Sequence, residues 1–344
     1  MEKTRIMIAG IAGASLGTEI LKSLNMAGAY EIFGCDISPT AYGLYETGFS
    51  KTFIVDETNY IASVIEVCSE SGSDWIIPGG EIPMVLLSSH QEELAKNGIT
   101  VIGNDKCIID LFSNKAKTFE RLKTIGCEIP RTAPGNSKDN IIEVGLPCII
   151  KPSIGSGGSV MVFFASDIEE AWGYCQFIIN SGKTPIVQEY IPALNGEFTV
   201  GVLSFSDGEI SGSIAMKRNL DAKLSVVQKR GDIVISGGYS QGYIGDFEYI
   251  RKQCEEIARA VGSCGPLNIQ GRIKNGNFIP FEINPRFSAS TYLRALAGFN
   301  EVDIFMRYLV KNEKNYFKSP RKGWYLRSFQ ERFVDNLHQR KESL

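Results

Sequence analysis

The chain contains few of the residues on which several common kinds of site depend. Its 344 residues include only two histidines, His90 and His338. This number argues against a histidine-rich metal site and against a Ser-His-Asp triad. The eight cysteines are scattered along the chain, and none forms a Cys-x-x-Cys pair. This pattern argues against a zinc site or a disulfide framework and favours buried, reduced thiols.

The sequence also lacks long segments of one chemical character. It has no basic tract and no low-complexity linker, and its net charge is −3, so nothing favours binding to nucleic acid or to an anionic membrane. No apolar run approaches the length of a membrane span, and the N-terminus leads into a predicted strand without a signal-peptide core. We therefore expect a cytoplasmic protein with two or three domains and no nucleic-acid or membrane partner.

The first 112 residues predict a domain built on a parallel sheet. Short apolar runs recur between helical segments, and this alternation is typical of βαβ units, whose strands run parallel. The predicted strands lie near Arg5–Ala9, Tyr30–Asp36, Phe53–Val55, Trp75–Pro78 and Thr100–Ile102.

A loop with three glycines follows the first predicted strand. Gly10, Gly13 and Gly17 do not have the G-x-G-x-x-G spacing of a dinucleotide site, although Asp36 lies about where a ribose-binding acid would. We favour the interpretation that the glycines let the chain turn tightly from strand to helix. A dehydrogenase remains an alternative function, but it would not explain the sequence patterns that follow residue 113.

A second loop, at residues 78–81, follows the predicted strand that ends at Pro78. It lies at the carboxyl edge of the sheet, where such sheets bind ligands. Glu81 in this loop either contacts an amine substrate or is a solvated acid, and the sequence favours neither interpretation.

Residues 268–286 carry the most informative pattern in the chain. Two apolar segments flank an Asn-Gly turn, which predicts a β-hairpin. Gln270 lies on the first strand, and Glu282 and Asn284 lie two apart on one face of the second. Two amide oxygens and a carboxylate suit Mg²⁺. Arg286 follows the strand, where its planar cation could hold a phosphoryl group.

A second pattern combines a lysine with a glycine-rich loop. A predicted buried strand ends at Lys151, and the loop Gly155-Ser156-Gly157-Gly158-Ser159 follows. Main-chain N–H groups of such a loop can approach phosphate oxygens. The lysine precedes the glycines, so the loop is not a Walker loop. A flexible loop without a ligand is the alternative.

Together these segments resemble the ATP-grasp family. The form Gln…Glu-x-Asn-Pro-Arg at Gln270, Glu282, Asn284 and Arg286 is closest to the carbamoyl-phosphate synthetase large subunit, and the following Phe287-Ser288-Ala289-Ser290 is similar to the same branch. Many other members have a carboxylate at the position of Gln270. The carbamoyl-phosphate synthetase subunit has two synthetase halves, of which this chain would hold one.

The resemblance implies roles for individual residues. Lys151 and Arg286 would be catalytic, and Gln270, Glu282 and Asn284 would hold Mg²⁺, with Mn²⁺ as the alternative ion. The residues matching the ATP site are Lys115, Lys151, Ser156, Gly157, Gly158, Ser159, Gln188, Glu189, Ile191 and Glu197. Arg294 could hold a substrate carboxylate. Four further cations, Lys217, Arg218, Lys229 and Arg230, either face the transferred phosphate or belong to a solvated surface.

The resemblance also implies a fold and a reaction. We expect a Rossmann-like domain at residues 1–112, a small ATP-grasp lobe at 113–187, a large lobe with an antiparallel sheet at 188–311 and an extension at 312–344. Such an enzyme would phosphorylate a carboxylate with ATP and join it to an amine, on small amino-acid-like substrates, and it would form a homodimer. Activation of bicarbonate and nucleotide binding without turnover are the two alternatives.

Overall fold

The computed structural model describes residues 3–13, 16–155 and 160–338. The N-terminal part forms a five-stranded parallel sheet with the order β3-β2-β1-β4-β5. Its strands are β1 (Thr4–Ala9), β2 (Tyr30–Asp36), β3 (Lys51–Ile54), β4 (Trp75–Pro78) and β5 (Thr100–Val101). Its helices are α1 (Leu16–Ala27), α2 (Tyr60–Ser71), α3 (Glu81–Ser89), α4 (Gln91–Lys96) and α5 (Lys106–Ser113). The predicted parallel sheet is confirmed.

Strand β1 is apolar on both faces, as expected for a parallel strand covered on two sides. Ile6 and Ile8 belong to the hydrophobic core on one side of the sheet, and Met7 and Ala9 belong to the core on the other. The strand order reverses between β1 and β4. The loops after these two strands, at Gly10 and Gly79, therefore lie at a ligand-binding edge of the sheet.

The glycines of the first loop allow main-chain segments to approach closely. A Cβ atom at Gly17 would lie 2.1 Å from the main-chain oxygen of Gly10, and one at Gly79 would lie 2.0 Å from the same oxygen. The Asp36 carboxylate accepts hydrogen bonds from the main-chain N–H groups of Ile11 (2.7 Å) and Ala12 (2.9 Å). The glycines thus allow a tight turn from strand to helix, as we interpreted them from the sequence. The Asp36 carboxylate binds main-chain groups of this loop.

The middle of the chain forms a four-stranded antiparallel sheet, the small sheet, with the order β6-β9-β7-β8. Its elements are α6 (Lys115–Thr124), β6 (Thr132–Pro134), α7 (Lys138–Val144), β7 (Cys148–Pro152), β8 (Phe163–Ala165), α8 (Ile168–Asn180) and β9 (Pro185–Glu189). Asn114 and Asp167 cap α6 and α8 by accepting hydrogen bonds from the main-chain N–H groups of Lys117 and Glu170. These side-chain caps explain why both helices begin at these positions.

The rest of the chain is organised by a six-stranded antiparallel sheet, the large sheet, with the order β16-β15-β10-β11-β14-β17. Its strands are β10 (Glu197–Ser204), β11 (Ile210–Arg218), β14 (Gly242–Ile244), β15 (Pro266–Lys274), β16 (Asn277–Asn284) and β17 (Gly323–Tyr325). Strands β12 (Val226–Arg230) and β13 (Ile233–Ser236) form a separate two-stranded hairpin. The helices are α9 (Glu248–Val261), α10 (Thr291–Leu296) and α11 (Glu301–Lys311).

The predicted hairpin is β15–β16. Asn275 and Gly276 at its turn both have positive φ, 52° and 83°, as a two-residue turn of the favoured kind requires. Gln270 pairs directly with Glu282, whereas Gly271 pairs with Pro280, so Phe281 is an extra residue in a β-bulge. Strict alternation along the strand would place Phe281 on the core face together with Ile283. Because of the bulge, the side chain of Phe281 lies on the other face and lines the cleft described below, whereas Ile283 is buried in the core.

The C-terminal segment connects the large sheet to the N-terminal part. Strand β17 is the edge strand of the large sheet and pairs with β14. Beyond it, Arg327 donates to the Glu19 carboxylate of α1 at 2.8 Å, and Arg332 donates to Glu46 at 3.3 Å. In the described ranges, no helix has the length and apolar character needed to span a bilayer.

Candidate active site

One cleft, with a volume of about 450 Å³, receives side chains from all three parts of the chain. The predicted residues that line it are Glu81, Lys115, Lys151, Gln188, Glu189, Ile191, Gln270, Glu282, Asn284 and Arg286. They come from the N-terminal helix α3, the small sheet with its helix α6 and the connector after it, and the β15–β16 hairpin with the residues just after it. The structure therefore brings together residues that are separated by as much as two hundred positions in the sequence.

Lys151 is the buried cation at the centre of this cleft. Its Nζ donates to Gln188 Oε1 at 2.8 Å and to the main-chain oxygen of Phe281 at 3.3 Å. Burial, helped by the nearby charge of Lys115 and opposed by Glu282, lowers the pKa of Lys151 to about 7. A buried cation that is short of counter-charge suits the binding of an anion.

Oxygen ligands project from the hairpin into the same cleft. Glu282 accepts a hydrogen bond from Gln270 Nε2 at 2.9 Å through Oε2. Gln270 Oε1 accepts from Arg218 Nη1 at 3.2 Å. Asn284 lies two residues beyond Glu282 on the same strand and also lines the cleft. One carboxylate and one amide are thus presented on one strand face, with a second amide on the paired strand.

Arg286 and Glu81 lie at the end of the cleft that faces the N-terminal sheet. Arg286 Nη1 donates to the main-chain oxygen of Phe287 at 2.9 Å. Burial lowers the pKa of Arg286, while the negative charges of Glu282 and Glu81 oppose that shift. Glu81 begins α3, directly after the Gly79–Gly80 loop at the carboxyl end of β4. This end of the cleft therefore combines a guanidinium with carboxylates from two different elements.

The connector from the small sheet to the large sheet runs along the opposite end of the cleft. Burial favours a raised pKa for Glu189, but hydrogen bonds from Lys274 and Arg131 outweigh it, and the pKa is lowered. The Lys274 contact measures 2.6 Å. The main-chain oxygen of Ile191 accepts from Arg272 Nη1 at 2.6 Å. These contacts fix the connector against the hairpin.

Two predicted site residues lie behind the cleft. Glu197 is fully buried, and its carboxylate accepts from Arg218 Nη1 at 2.9 Å and from Arg272 Nε at 2.8 Å. Burial would raise the pKa of Glu197, but the two guanidinium groups outweigh it and lower the pKa. Arg294 is also buried, and it donates to Asn268 Oδ1 at 2.6 Å and to Glu301 at 3.1 Å. Both residues hold other side chains of the large sheet in place.

The four cations that the sequence could not rank differ sharply in their surroundings. Lys217 is exposed, Lys229 lies 3.7 Å from Asp221 and Arg230 lies 3.1 Å from Glu170, both at the surface. Arg218 is buried and bonded to Gln270. Among these four, Arg218 therefore lies next to the predicted metal site.

Sequence reasoning missed Arg272. It lines the cleft, donates to the main-chain oxygens of Ile191 and Val234, and lies 5.1 Å from the ring centroid of Tyr190. A signal was available, because polar residues alternate along β15 at positions 268, 270, 272 and 274. Residues 236–240, which belong to a glycine-rich region at residues 231–243, also line the cleft. Part of that glycine-rich region forms β13 and β14.

The predicted phosphate loop lies only partly within the described structure. Ser156, Gly157, Gly158 and Ser159 fall outside the described residues. The strands on either side, β7 and β8, pair antiparallel, with Ile150 opposite Phe163. The segment that joins them therefore connects two neighbouring strands of the small sheet.

Comparisons with known proteins agree with this geometry. Residues 182–331 match a family model described as ATP-grasp in the biosynthetic pathway with Ter operon. A carbamoyl phosphate synthase large chain from Saccharolobus solfataricus is 27% identical over 263 residues, which cover 73% of this chain and 24% of that protein. The chain thus spans about a quarter of that relative's length. The predicted resemblance to ATP-grasp proteins, and to the carbamoyl-phosphate synthetase large subunit among them, is confirmed.

Two solved structures show the same fold at low sequence identity. Biotin carboxylase from Campylobacter jejuni is 18% identical with a TM-score of 0.68, and the match covers 89% of this chain and 70% of that one. L-amino acid ligase from Bacillus licheniformis is 15% identical with a TM-score of 0.67, covering 90% of this chain and 75% of that one. These matches extend over almost the whole chain and include its parallel and antiparallel sheets.

Proposed function

Because the chain has the ATP-grasp fold and matches an ATP-grasp family model, we propose that it is an ATP-dependent carboxylate–amine ligase. It would form an acylphosphate and release ADP and phosphate. The observation that carries the proposal is the single cleft, in which Lys115, Lys151 and Arg286 face Glu282 and Asn284. Cations for phosphate and oxygen ligands for a divalent ion are the groups that phosphoryl transfer needs.

In this proposal ATP lies along the cleft with its phosphates beside the two lysines. Lys151 is fixed by Gln188 and by the main-chain oxygen of Phe281, so its side-chain nitrogen is positioned before the nucleotide arrives. Lys115 lines the cleft from the first turn of α6. The connector at Glu189–Ile191 borders the other end, where the adenine would bind.

The residues present fit a Mg²⁺ ion. Glu282 Oε1 has no hydrogen-bond partner among the described residues, and the same is true of the Asn284 amide oxygen, so both are available as hard oxygen ligands. When bound, Mg²⁺ would neutralise β- and γ-phosphate oxygens. Substrate phosphates and water would complete its ligand set. The third predicted ligand is Gln270, whose side-chain oxygen accepts a hydrogen bond from Arg218.

The reaction would proceed in two steps. An oxygen of the substrate carboxylate attacks the γ-phosphorus of ATP, the bond to the β-phosphate oxygen breaks, and ADP leaves with its electron pair. The amine nitrogen then attacks the acyl carbon, phosphate leaves, and the nitrogen loses a proton. Arg286 is buried at the N-terminal end of the cleft and would hold the transferring phosphoryl group. Glu81, whose negative charge raises the pKa of Arg286, would hold the amine substrate.

Substrate size follows from the cleft. A cleft of about 450 Å³ that also receives ATP leaves little room for the other two substrates, so we propose small, amino-acid-like molecules. A carboxylate group suits Arg286, and an ammonium group suits Glu81. A bicarbonate-activating enzyme is the second candidate, and the similarity to carbamoyl phosphate synthase large chains and to biotin carboxylase favours it.

Nucleotide product analysis tests the proposal. The protein is incubated with MgATP and pooled carboxylates, with and without pooled amines, and ADP is separated from AMP. The proposal requires ADP and phosphate that form only when both pools are present. AMP would contradict the acylphosphate mechanism in favour of adenylation, and ADP with bicarbonate alone would favour the second candidate. The Glu282→Gln protein serves as the control for contaminating ATPases.

A further inference from the structure

A second cavity adjoins the end of the cleft that holds Arg286 and Glu81, which we name the substrate end. The cavity has a volume of about 280 Å³, and its lining comes mainly from α1, α10 and the C-terminal residues 326–330. These residues begin a segment, residues 326–338, that we name the C-terminal strap. Two contacts made by the strap join the lining of the second cavity to that of the cleft.

Arg327 makes the first of these contacts. Its Nη2 donates to the main-chain oxygen of Ala289, which lines the cleft, whereas Arg327 itself lines the second cavity. The same nitrogen lies 2.8 Å from the Glu19 carboxylate of α1, and the side chains of this ion pair are only 9% and 5% exposed. The main-chain N–H of Arg327 donates to Gln241 Oε1 at 3.2 Å. A guanidinium buried with its counter-charge therefore holds Ala289 in place.

Phe329 makes the second contact. Its ring lies 5.4 Å from the ring of Tyr239 in an edge-to-face arrangement, which aromatic pairs prefer. Tyr239 lines the cleft, and Phe329 lines the second cavity. The neighbours Gly237 and Gly238 add no side chain to this part of the wall. Phe329 therefore supports, from behind, a wall that has little packing of its own.

The strap is anchored at both ends. At its start, β17 pairs with β14 of the large sheet. Further along, Arg332 donates to the main-chain oxygen of Tyr45, and its guanidinium lies 5.7 Å from the ring centroid of Tyr42. The main-chain N–H of His338 donates to Tyr45 Oη at 2.9 Å. Because the large sheet holds one end and the N-terminal part holds the other, Arg327 and Phe329 are kept against the wall of the cleft.

From these contacts we infer that Arg327 and Phe329 are positioning residues that keep the substrate end of the cleft closed toward the second cavity. The inference rests on the proposed function, which places the acylphosphate beside Arg286 at this end. Arg286 donates to the main-chain oxygen of Phe287, two residues before Ala289. The strap thus supports the loop that follows the proposed phosphoryl-binding arginine.

The closed wall protects the intermediate from water. If water enters, its oxygen attacks the acyl carbon, the bond from that carbon to the phosphate oxygen breaks, and phosphate leaves with the electron pair. The water loses a proton and the original carboxylate is regenerated, so ATP is consumed without product. Exclusion of water from a reactive intermediate is a general task of closed active sites. Truncating Arg327 or Phe329 opens the cleft toward the second cavity and promotes this hydrolysis.

The test measures ADP formed from MgATP and pooled carboxylates, with and without hydroxylamine as the amine. ADP formed without carboxylates is subtracted. For wild type we expect hydroxylamine to raise the rate about tenfold or more, because the shielded acylphosphate waits for an amine. For Arg327→Met and Phe329→Ala we expect this ratio to fall to about two or less, while the KM for ATP changes less than about twofold.

Hydrogen–deuterium exchange of the free proteins tests the positioning role without the reaction. Both variants are expected to exchange at least about fivefold faster at main-chain N–H groups of residues 236–241 and 287–290, because their support is lost. Exchange in the β15–β16 hairpin should stay as in wild type.

Three results would overturn the inference. Folded variants that keep the wild-type ratio would do so, and so would variants in which both rates fall in proportion, since a merely structural role has that effect. Unchanged exchange in both variants would do the same. Wild type that forms no carboxylate-dependent ADP would instead contradict the proposed function, and the exchange measurement would then decide by itself whether the strap positions the wall.

Conservative and distant variants complete the set. Arg327→Lys keeps a cation that can donate to both Glu19 and Ala289, and Phe329→Tyr keeps the ring, so both should stay within about twofold of the wild-type ratio. Arg321→Met and Phe333→Ala change exposed residues of the same C-terminal region and should have no effect.

Folding is checked first by circular dichroism, because Arg327→Met removes a partner of the buried Glu19. If that protein does not fold, Phe329→Ala decides, since Phe329 is 48% exposed and its truncation leaves the ion pair intact.

Discussion

The side-chain nitrogen of Lys151 lies 3.3 Å from the main-chain oxygen of Phe281, although 130 residues separate them in the sequence. This contact joins the end of β7 in the small sheet to the bulge of the β15–β16 hairpin. It places a buried cation next to the strand that carries Glu282 and Asn284. The phosphate-binding and metal-binding parts of the proposed site are therefore one structure, and each can be tested by changing a single residue.

Glu282→Gln is expected to lower the turnover number for ATP by at least about 100-fold while the protein stays folded. The change removes the only carboxylate among the proposed ligands, and the amide is nearly isosteric. Steady-state ADP release and circular dichroism measure the two effects. Glu256→Gln on the exposed face of α9 is the matched control. A folded Glu282→Gln protein with normal turnover would refute the metal assignment.

Lys115→Met is expected to raise the KM for ATP about tenfold, because a charge-assisted contact to phosphate is lost. Lys117 lies two residues along the same helix but is exposed to solvent. Lys117→Met should therefore leave the KM unchanged. Equal effects of the two substitutions would mean that net charge, and not a contact with the nucleotide, determines ATP affinity.

Nucleotide binding should be coupled to protonation of Lys151. Burial lowers the pKa of Lys151 to about 7, so above pH 7 the free protein holds this lysine neutral. Between pH 7 and the ordinary lysine pKa near 10.5, Lys151 is protonated in the unfolded chain and neutral in the native state. In this pH range the residue therefore makes the free energy of unfolding rise with pH. Binding of an anionic ligand favours the protonated, charged form of Lys151.

At pH 8 the wild type is therefore expected to take up close to one proton more on binding ADP than Lys151→Arg does, because the arginine stays charged across this range. At pH 6 the two proteins should behave alike, since protons released by the ADP phosphate itself contribute equally to both. Calorimetry in two buffers of different ionisation enthalpy measures the uptake. Equal uptake by the two proteins at pH 8 would show that Lys151 is not where the phosphates bind.

Glu197→Gln is expected to lower the free energy of unfolding by about 3 kcal/mol, because it leaves the buried Arg218 and Arg272 without their shared counter-charge. Urea denaturation measures the change. Glu282→Gln, at a residue that faces the cleft, should have much less effect on stability. A Glu197→Gln protein with wild-type stability and a raised KM for ATP would instead support the ribose contact that the family resemblance implies.

Titration with NADH should show no saturable binding up to about 1 mM. The Asp36 carboxylate, which a dinucleotide ribose would need, already accepts main-chain hydrogen bonds from Ile11, Ala12 and Ser38. Fluorescence enhancement of NADH reports binding directly. Saturable enhancement that disappears in Asp36→Ala would reopen the dehydrogenase alternative.

The elements that could be predicted from the sequence are those determined by local chemistry. The Asn275-Gly276 turn defines the hairpin that the sequence predicts. The spacing of Glu282 and Asn284 on one strand is sufficient to place both in the same cleft. Each of these features depends on a few neighbouring residues, so a single sequence contains the information.

The features that could not be predicted depend on residues far apart in the chain. The bulge at Phe281 is visible only in the pairing register of β15 and β16. Glu197 carries the pattern of an exposed or nucleotide-binding acid, and only tertiary packing shows that Arg218 and Arg272 enclose it. Likewise, four cations near β11 and β12 look equivalent in the sequence, although only Arg218 is buried.

The central claim, an acylphosphate made from ATP and a carboxylate, can be tested without knowing the amine. Hydroxylamine replaces the amine substrate, and the protein is incubated with MgATP and pooled carboxylates while hydroxamate, ADP and AMP are measured together. The account predicts hydroxamate in equal amount to ADP and phosphate, and neither product with Glu282→Gln. Hydroxamate that accumulates with AMP and pyrophosphate would contradict the account, since the carboxylate would then be activated as an adenylate.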